Sequence, residues 1–204
     1  MSCTICLDTN VLQSFSLSKE VGLKLVYEKA KNSPDFVFSN WTYLLFVEKT
    51  LIVSPLTVWE FIANRMSGRS VNEKTNLINA LSMRFGATTA LDSMTLAISY
   101  LFAAVTGIPC DDSYHFVHAV RNSADFFASV DKDFDIYKAE SKAEYIVKMK
   151  ELLTYINPID SIRTAEIITE IDRIAELNWA RMIRSPIDVP QMLQLNKQQA
   201  IDPS

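Results

Sequence analysis

Two short, largely apolar runs that each end in an acidic residue restrict the fold of this chain more than any other feature of its sequence. The first, Cys3 to Leu7, is followed by Asp8, and the second, Phe126 to Val130, is followed by Asp131. An apolar run of this length is typical of a strand buried on both faces, as in the centre of a parallel sheet. We therefore predict a parallel sheet with acids at the ends of its strands.

Helical patterns separate the predicted strands. Leu51 to Val53 precedes Ser54-Pro55, a typical helix start, so Glu60 falls within the helix that follows this strand. Further helices are predicted over Ser18 to Lys31, Trp41 to Lys49, Glu73 to Phe85, Leu91 to Val105 and Lys138 to Leu153, and from Asp112 onward. Strands that alternate with helices in this way indicate a three-layer α/β/α fold, with helices on both sides of a mostly parallel central sheet.

The carboxyl-terminal part of the chain has a different pattern. Thr154 to Pro158 is predicted to be a last short strand, and Ser161 to Arg184 a long amphipathic helix. The tail after Pro186 has weak periodicity. We therefore expect one α/β domain over residues 1–158, followed by a helical extension and tail over residues 159–204.

The composition limits the classes of function. A net charge of −4 and a pI near 5.2 argue against a protein that binds nucleic acid through bulk positive charge. The amino terminus has no basic leader, and the most apolar run, Met94 to Val105, is well short of the roughly 20 residues that span a membrane. We expect a cytoplasmic protein that does not bind a membrane.

Asp8, Glu60, Asp112 and Asp131 are far apart in the sequence but are expected to meet in one cleft. Ligands of an open parallel sheet bind at the carboxyl ends of the strands, where Asp8 and Asp131 are predicted to lie. Glu60 lies about one turn into a helix that follows a strand, and Asp112 is predicted to cap the start of another helix.

Such a cluster of carboxylates would require compensation of its charge. Two carboxylates about 5 Å apart repel each other by roughly 3 kcal/mol at an effective dielectric constant of 20. The cluster must bind protons or cations, and ligands that are all oxygen select hard ions such as Mg²⁺ and Mn²⁺ over zinc. Because such ions activate water and hold phosphate oxygens, the expected chemistry is hydrolysis of a phosphodiester bond.

The segments that contain these acids resemble the successive motifs of PIN domains. They are Ile5 to Leu12, Leu51 to Glu60, Asp112 to Ala119 and Ala124 to Phe134, and Ile156 to Pro158 resembles the last strand of the family. The resemblance covers roughly residues 3–158. It implies a PIN-like fold and a metal-dependent endoribonuclease, as in VapC-type toxins and RNA-processing nucleases.

The resemblance also implies roles for individual residues. The catalytic, metal-binding positions are matched by Asp8, Glu60, Asp112 and Asp131, with Asp133 as a further metal-binding acid. Asn10 and Ser129 match polar positions that orient ligands or substrate. The implied cofactor is Mg²⁺ or Mn²⁺, and the implied substrate is RNA. An antitoxin, another protein and a second copy of the chain remain open as partners.

Several alternatives remain open at this level. Asp111 competes with Asp112 for one ligand position, although the predicted helix start favours Asp112. His115 either faces the site or packs in the core, and Arg65 and Arg69 are either cations at the rim of the cleft or ordinary solvated charges. The chain is longer than compact VapC-like toxins, which leaves a toxin role open.

Two other functions fit parts of the pattern. A catalytically inactive PIN-fold adaptor, acting through the carboxyl-terminal helix, would need neither metal nor turnover. A phosphatase of the haloacid-dehalogenase-like type would need a second acid two residues after Asp8, where this chain has Asn10. We therefore favour the nuclease and keep the adaptor as its alternative.

Overall fold

The computed structural model describes residues 3–15, 24–25, 27–29, 33, 40–47, 49–86, 89–156, 161–191 and 194. The strands are β1 (Thr4–Leu7), β2 (Thr50–Val53), β3 (Phe126–Ala128) and β4 (Arg181–Ile183). The α-helices are α1 (Thr9–Gln13), α2 (Pro55–Arg65), α3 (Val71–Phe85), α4 (Ser93–Thr106), α5 (Cys110–Arg121), α6 (Lys142–Ile156) and α7 (Ser161–Glu176). Short 3₁₀ helices span Trp41–Phe46, Lys132–Ile136, Ala139–Ser141 and Pro186–Asp188.

A four-stranded, all-parallel sheet with the order β2-β1-β3-β4 organises these elements. At the carboxyl end of β1, Leu7 aligns with Val53 of β2 and with Ala128 of β3. Because the chain moves from β1 to β2 on one side and then crosses to β3 on the other, the strand order reverses between β1 and β3. The crevice at such a reversal is the usual ligand site of an open parallel sheet. The predicted α/β fold with a parallel sheet is confirmed.

Helices cover both faces of the sheet. Neighbouring residues of a strand alternate between two apolar cores, because successive side chains point to opposite faces. Cys6 and Phe127 belong to a core shared with α4, α5, α6 and α7, whereas Ile5 and Phe126 belong to a core shared with α1, α2 and α3. The sheet is therefore packed between helices on both faces, with its strands buried.

Local sequence signals set several of the helix boundaries. The Ser54 hydroxyl accepts a hydrogen bond from the Thr57 N–H, and Pro55 is the first residue of α2, as predicted. Gly86 and Gly107 have φ angles of 60° and 82° and end α3 and α4. Glycine tolerates this left-handed conformation without the steric penalty of a side chain.

The carboxyl-terminal part of the chain differs from its prediction. Thr154 is the third-last residue of α6, so the predicted strand from Thr154 to Pro158 is wrong where it is described, and residues 157–160 lie outside the described residues. The predicted helix from Ser161 to Arg184 ends at Glu176, and its last part forms β4 instead. The extension predicted from residue 159 onward therefore contains the fourth strand of the sheet as well as a helix.

Other predicted helices are present in altered form or only partly described. Of the helix predicted over Ser18 to Lys31, residues 24, 25 and 27–29 are helical, and the remainder lies outside the described residues. The helix predicted over Trp41 to Lys49 is the 3₁₀ helix Trp41–Phe46. Across the described ranges, no single helix is long and apolar enough to span a membrane; α4 and α5 have the required length and composition only as a pair bent by 117°.

Candidate metal centre

One cleft of about 380 Å³ lies at the carboxyl ends of β1 and β3, where the strand order reverses. Its acidic wall contains Asp8, Glu60, Asp111, Asp112, Asp131 and Asp133. The structure thus brings together all the acids that the sequence singled out, from the ends of two strands and from two helices. The cleft also contains Gln13 and Asn64, which the sequence motifs did not indicate.

Asp8 is the most deeply placed of these acids, with an exposed fraction of 3%. Its Oδ1 atom accepts a hydrogen bond of 2.6 Å from the Thr9 N–H. Its Oδ2 atom accepts hydrogen bonds from Asn10 Nδ2 at 3.0 Å and from Ser129 Oγ at 2.6 Å. Asn10 and Ser129, which were expected to orient a ligand, therefore hold the Asp8 carboxylate in one direction.

Asp112, Asp131 and Asp133 form the tightest group in the cleft. Each offers a carboxylate oxygen, and these oxygens lie within 4.8 Å of one another. Asp131 precedes the 3₁₀ helix Lys132–Ile136, and its Oδ1 accepts a 3.0 Å hydrogen bond from the Asp133 N–H. The Asp131 N–H donates to Ser129 Oγ at 3.0 Å. This local turn, which the sequence motif did not specify, places the two acids side by side.

Asp112 lies in the first turn of α5 and does not cap it, so the predicted capping role is wrong. The helix begins at Cys110, with Pro109 as the residue before it and no side-chain cap. Asp111 Oδ1 accepts a 3.1 Å hydrogen bond from the Asp112 N–H. Asp111 lines the same cleft, but Asp112 is the one that joins Asp131 and Asp133.

The position of Asp112 in the cleft changes the pKa of its carboxyl group. Burial, followed by the charges of Asp131, Asp8 and Asp111, raises the pKa of Asp112 from 3.8 to about 7. Burial and like charges both disfavour the ionised carboxylate. Near neutral pH, the cleft in the absence of a cation therefore retains a proton on Asp112 in a substantial fraction of molecules.

Glu60 reaches the cleft from α2 and is held by two neighbours. Its Oε2 atom accepts a short hydrogen bond from Thr9 Oγ1 and lies 3.2 Å from His115 Nε2. Burial by itself would raise the pKa of Glu60, but the hydrogen bond and charge of His115 and the Thr9 hydroxyl lower it below its ordinary value. Glu60 is therefore held as an ionised group.

His115 combines the two alternatives that the sequence left open. It is buried, with an exposed fraction of 1%, and it also faces the acids, since its Nε2 atom lies 3.9 Å from Asp8 Oδ1. Burial lowers the pKa of His115, but the hydrogen bond to Glu60 and the charges of Asp8, Glu60 and Asp112 outweigh burial and raise it. The one signal in the sequence was its position three residues after Asp112, on the same helical face.

The two arginines considered for the rim have different positions. Arg65 Nη2 donates a 2.9 Å hydrogen bond to the backbone carbonyl of Gln13, a residue that lines the cleft. Arg69 instead forms a 3.5 Å surface ion pair with Glu73 on α3. Of these two arginines, Arg65 is the one placed beside the cleft.

The donor set of the cleft suits a hard divalent cation. Asp112, Asp131 and Asp133 each supply a carboxylate oxygen, and hard divalent ions prefer oxygen ligands. Burial and the charges of neighbouring acids raise the pKa of Asp112, and a bound cation would relieve this repulsion. Comparisons with protein-family models, with curated proteins and with solved structures found no match for this chain.

Proposed function

We propose that this chain is a Mg²⁺- or Mn²⁺-dependent endoribonuclease of PIN-like architecture, which hydrolyses phosphodiester bonds in RNA. The observation that carries the proposal is the convergence of Asp8, Glu60, Asp112, Asp131 and Asp133 in one cleft, with the last three offering oxygens within 4.8 Å of one another. The order of the acidic motifs along the chain supports the same conclusion.

The residues of the cleft have separate tasks in this proposal. All five acids bind the cation in this proposal: Asp112, Asp131 and Asp133 form the tightest group of ligands, and Asp8 and Glu60 complete the set from the same cleft. A bound Mg²⁺ or Mn²⁺ supplies activation of water and compensation of phosphate charge. Asn10, Ser129 and Thr9 fix the directions of the Asp8 and Glu60 carboxylates through their hydrogen bonds.

The charge of the cleft explains why a cation is essential for this substrate. RNA is a polyanion, and the acidic wall repels it unless divalent cations reverse the local charge. Arg65 at Gln13, together with the amide side chains of Gln13 and Asn64, offers polar contacts at the rim. Binding of RNA is therefore expected to depend on the cation and not on the net charge of −4.

The test of this function is cleavage of RNA by the purified chain. Labelled single-stranded and hairpin RNAs are incubated with Mg²⁺, with Mn²⁺ or with EDTA, and products are resolved on denaturing gels. We expect internal cleavage with either cation and none with EDTA. Asp112→Asn should remove activity, whereas Asp135→Asn is the matched control, because Asp135 lies in the same 3₁₀ helix as Asp133 but pairs with Arg184.

The same experiment addresses the adaptor alternative. Full cleavage by a folded Asp112→Asn variant would contradict the roles assigned to the acids. A chain that cleaves no RNA and gains no stability from divalent cations would instead favour the catalytically inactive adaptor.

The genes beside the one for this chain would identify a toxin–antitoxin pair. A short upstream reading frame for a DNA-binding protein would indicate an antitoxin partner.

A further inference from the structure

We propose that His115 is a positioning residue of the acidic cleft, which holds the Glu60 carboxylate through Nε2 while the hydroxyls of Ser54 and Thr57 hold its other ring nitrogen. This inference rests on the proposed function, since it concerns how the cation site is kept in shape. The acidic motifs assign no role to this buried histidine.

Both nitrogens of the ring have partners. Nε2 lies 3.2 Å from Glu60 Oε2, and Nδ1 lies 2.7 Å from Ser54 Oγ and 3.2 Å from Thr57 Oγ1. The imidazole has an exposed fraction of 1%, so water does not replace these contacts. A buried ring with both nitrogens engaged has a fixed orientation.

The Glu60 carboxylate determines that Nε2 carries a proton, because a carboxylate only accepts hydrogen bonds. Ser54 Oγ accepts a hydrogen bond from the Thr57 N–H at 3.1 Å and can donate its own proton to Nδ1. A neutral ring that accepts at Nδ1 carries its proton at Nε2. A charged ring carries protons at both nitrogens. In either state, Nε2 donates to the Glu60 carboxylate.

The consequence for the cleft follows from the elements that these residues join. Glu60 lies on α2 and His115 on α5, so their hydrogen bond connects two helices that both line the cleft. A glutamate side chain has several rotatable bonds and loses its orientation easily. Loss of the group that orients a metal-binding carboxylate typically reduces metal affinity by 10- to 100-fold.

Two substitutions at position 115 separate positioning from packing. In His115→Gln, the amide nitrogen lies the same number of bonds from Cα as Nε2 and can donate to Glu60. In His115→Asn, the nitrogen matches Nδ1 and cannot reach Glu60. His118→Gln is the control, since His118 lies on the same helix, stacks on Tyr114 and contacts Asn122.

The readout is the dissociation constant for Mn²⁺, measured by titration of the purified chain and accompanied by circular dichroism. We expect His115→Asn to weaken Mn²⁺ binding by roughly 10- to 100-fold, His115→Gln to restore most of the affinity, and His118→Gln to match the original chain. Equal affinity in the folded Asn variant and the original chain would overturn the inference. So would an equal loss in the Gln and Asn variants, because packing alone would explain it.

The outcomes distinguish this inference from the proposed function. If the original chain binds Mn²⁺ but cleaves no RNA, the nuclease fails while the Mn²⁺ affinities still decide the role of His115. If the original chain binds no Mn²⁺, both fail. Should neither variant at position 115 fold, the double variant Ser54→Gly, Thr57→Val decides the question, because it removes both hydroxyls at Nδ1 and glycine is tolerated at the start of α2. Unchanged Mn²⁺ affinity in that variant would overturn the inference.

Discussion

Ser129 Oγ donates a 2.6 Å hydrogen bond to Asp8 Oδ2 and accepts one of 3.0 Å from the Asp131 N–H. One buried hydroxyl therefore connects the acid that follows β1 with the acid that follows β3. The parallel pairing of the two strands brings these residues together, although they are distant in sequence. The arrangement of the acidic cleft thus depends on the register of the sheet.

The first prediction concerns this hydroxyl. Ser129→Ala removes a hydrogen bond to the buried Asp8 carboxylate and should lower the free energy of unfolding by about 1.5–3 kcal/mol, the usual contribution of a hydrogen bond to a charged group. Urea denaturation followed by circular dichroism measures the change. A variant as stable as the original chain would show that the bond is not present in solution.

The second prediction concerns the pH dependence of stability without divalent cations. Asp112 has a pKa of about 7 in the folded chain, against an ordinary value of 3.8 for an unfolded one. Between these values the folded state binds more protons than the unfolded state, so the contribution of Asp112 to stability falls as the pH rises. We expect Asp112→Asn to flatten this decline and to be more stable than the original chain at pH 8.

Urea denaturation in EDTA at pH 5 and pH 8 tests this expectation. Asp135→Asn is the matched control, because Asp135 lies outside the cleft and is not among the charges that raise the pKa of Asp112. If the free energy of unfolding fell equally between pH 5 and pH 8 in the original chain and in Asp112→Asn, the raised pKa assigned to Asp112 would be wrong.

The third prediction concerns stabilisation by a cation. A ligand at about 100 times its dissociation constant stabilises a folded protein by about 2.7 kcal/mol if it does not bind the unfolded chain. We expect Mn²⁺ to raise the thermal unfolding midpoint of the original chain and of Asp135→Asn. Asp133→Asn should show a smaller rise, because it loses one of the clustered carboxylates. Equal rises in both variants would place the bound Mn²⁺ elsewhere.

The fourth prediction concerns the carboxyl-terminal strand. Ile183 is fully buried in β4, and Ile183→Ala should cost about 2–5 kcal/mol of unfolding free energy through the cavity it leaves. Ile187→Ala is the control, since Ile187 is 61% exposed and its truncation should change stability by less than about 0.5 kcal/mol. Similar small effects at both positions would mean that β4 does not belong to the cooperative unit.

The local predictions that succeeded were those with a strong pattern. The apolar run before Asp8, the Ser54-Pro55 helix start and the apolar pattern of α4 each correspond to an observed element. Besides the capping role of Asp112, the failures were at the carboxyl-terminal end, where a helical period continued past Glu176 and concealed β4. Unlike Phe126–Ala128, the three residues of β4 include a charged side chain, Arg181, and form no apolar run that could be recognised; the strand forms because β3 offers an edge for pairing.

The sequence by itself determined the chemistry of this protein's cleft, because the identity of Asp8, Glu60, Asp112 and Asp131 and the apolar runs before two of them are local properties. Only the tertiary structure decided how these groups touch. The approach of His115 to Glu60, of Ser129 to Asp8 and of Asp133 to Asp112 depends on strand register and helix packing between distant segments. No local pattern encodes such distances, because each segment acquires its neighbours only when the sheet is assembled.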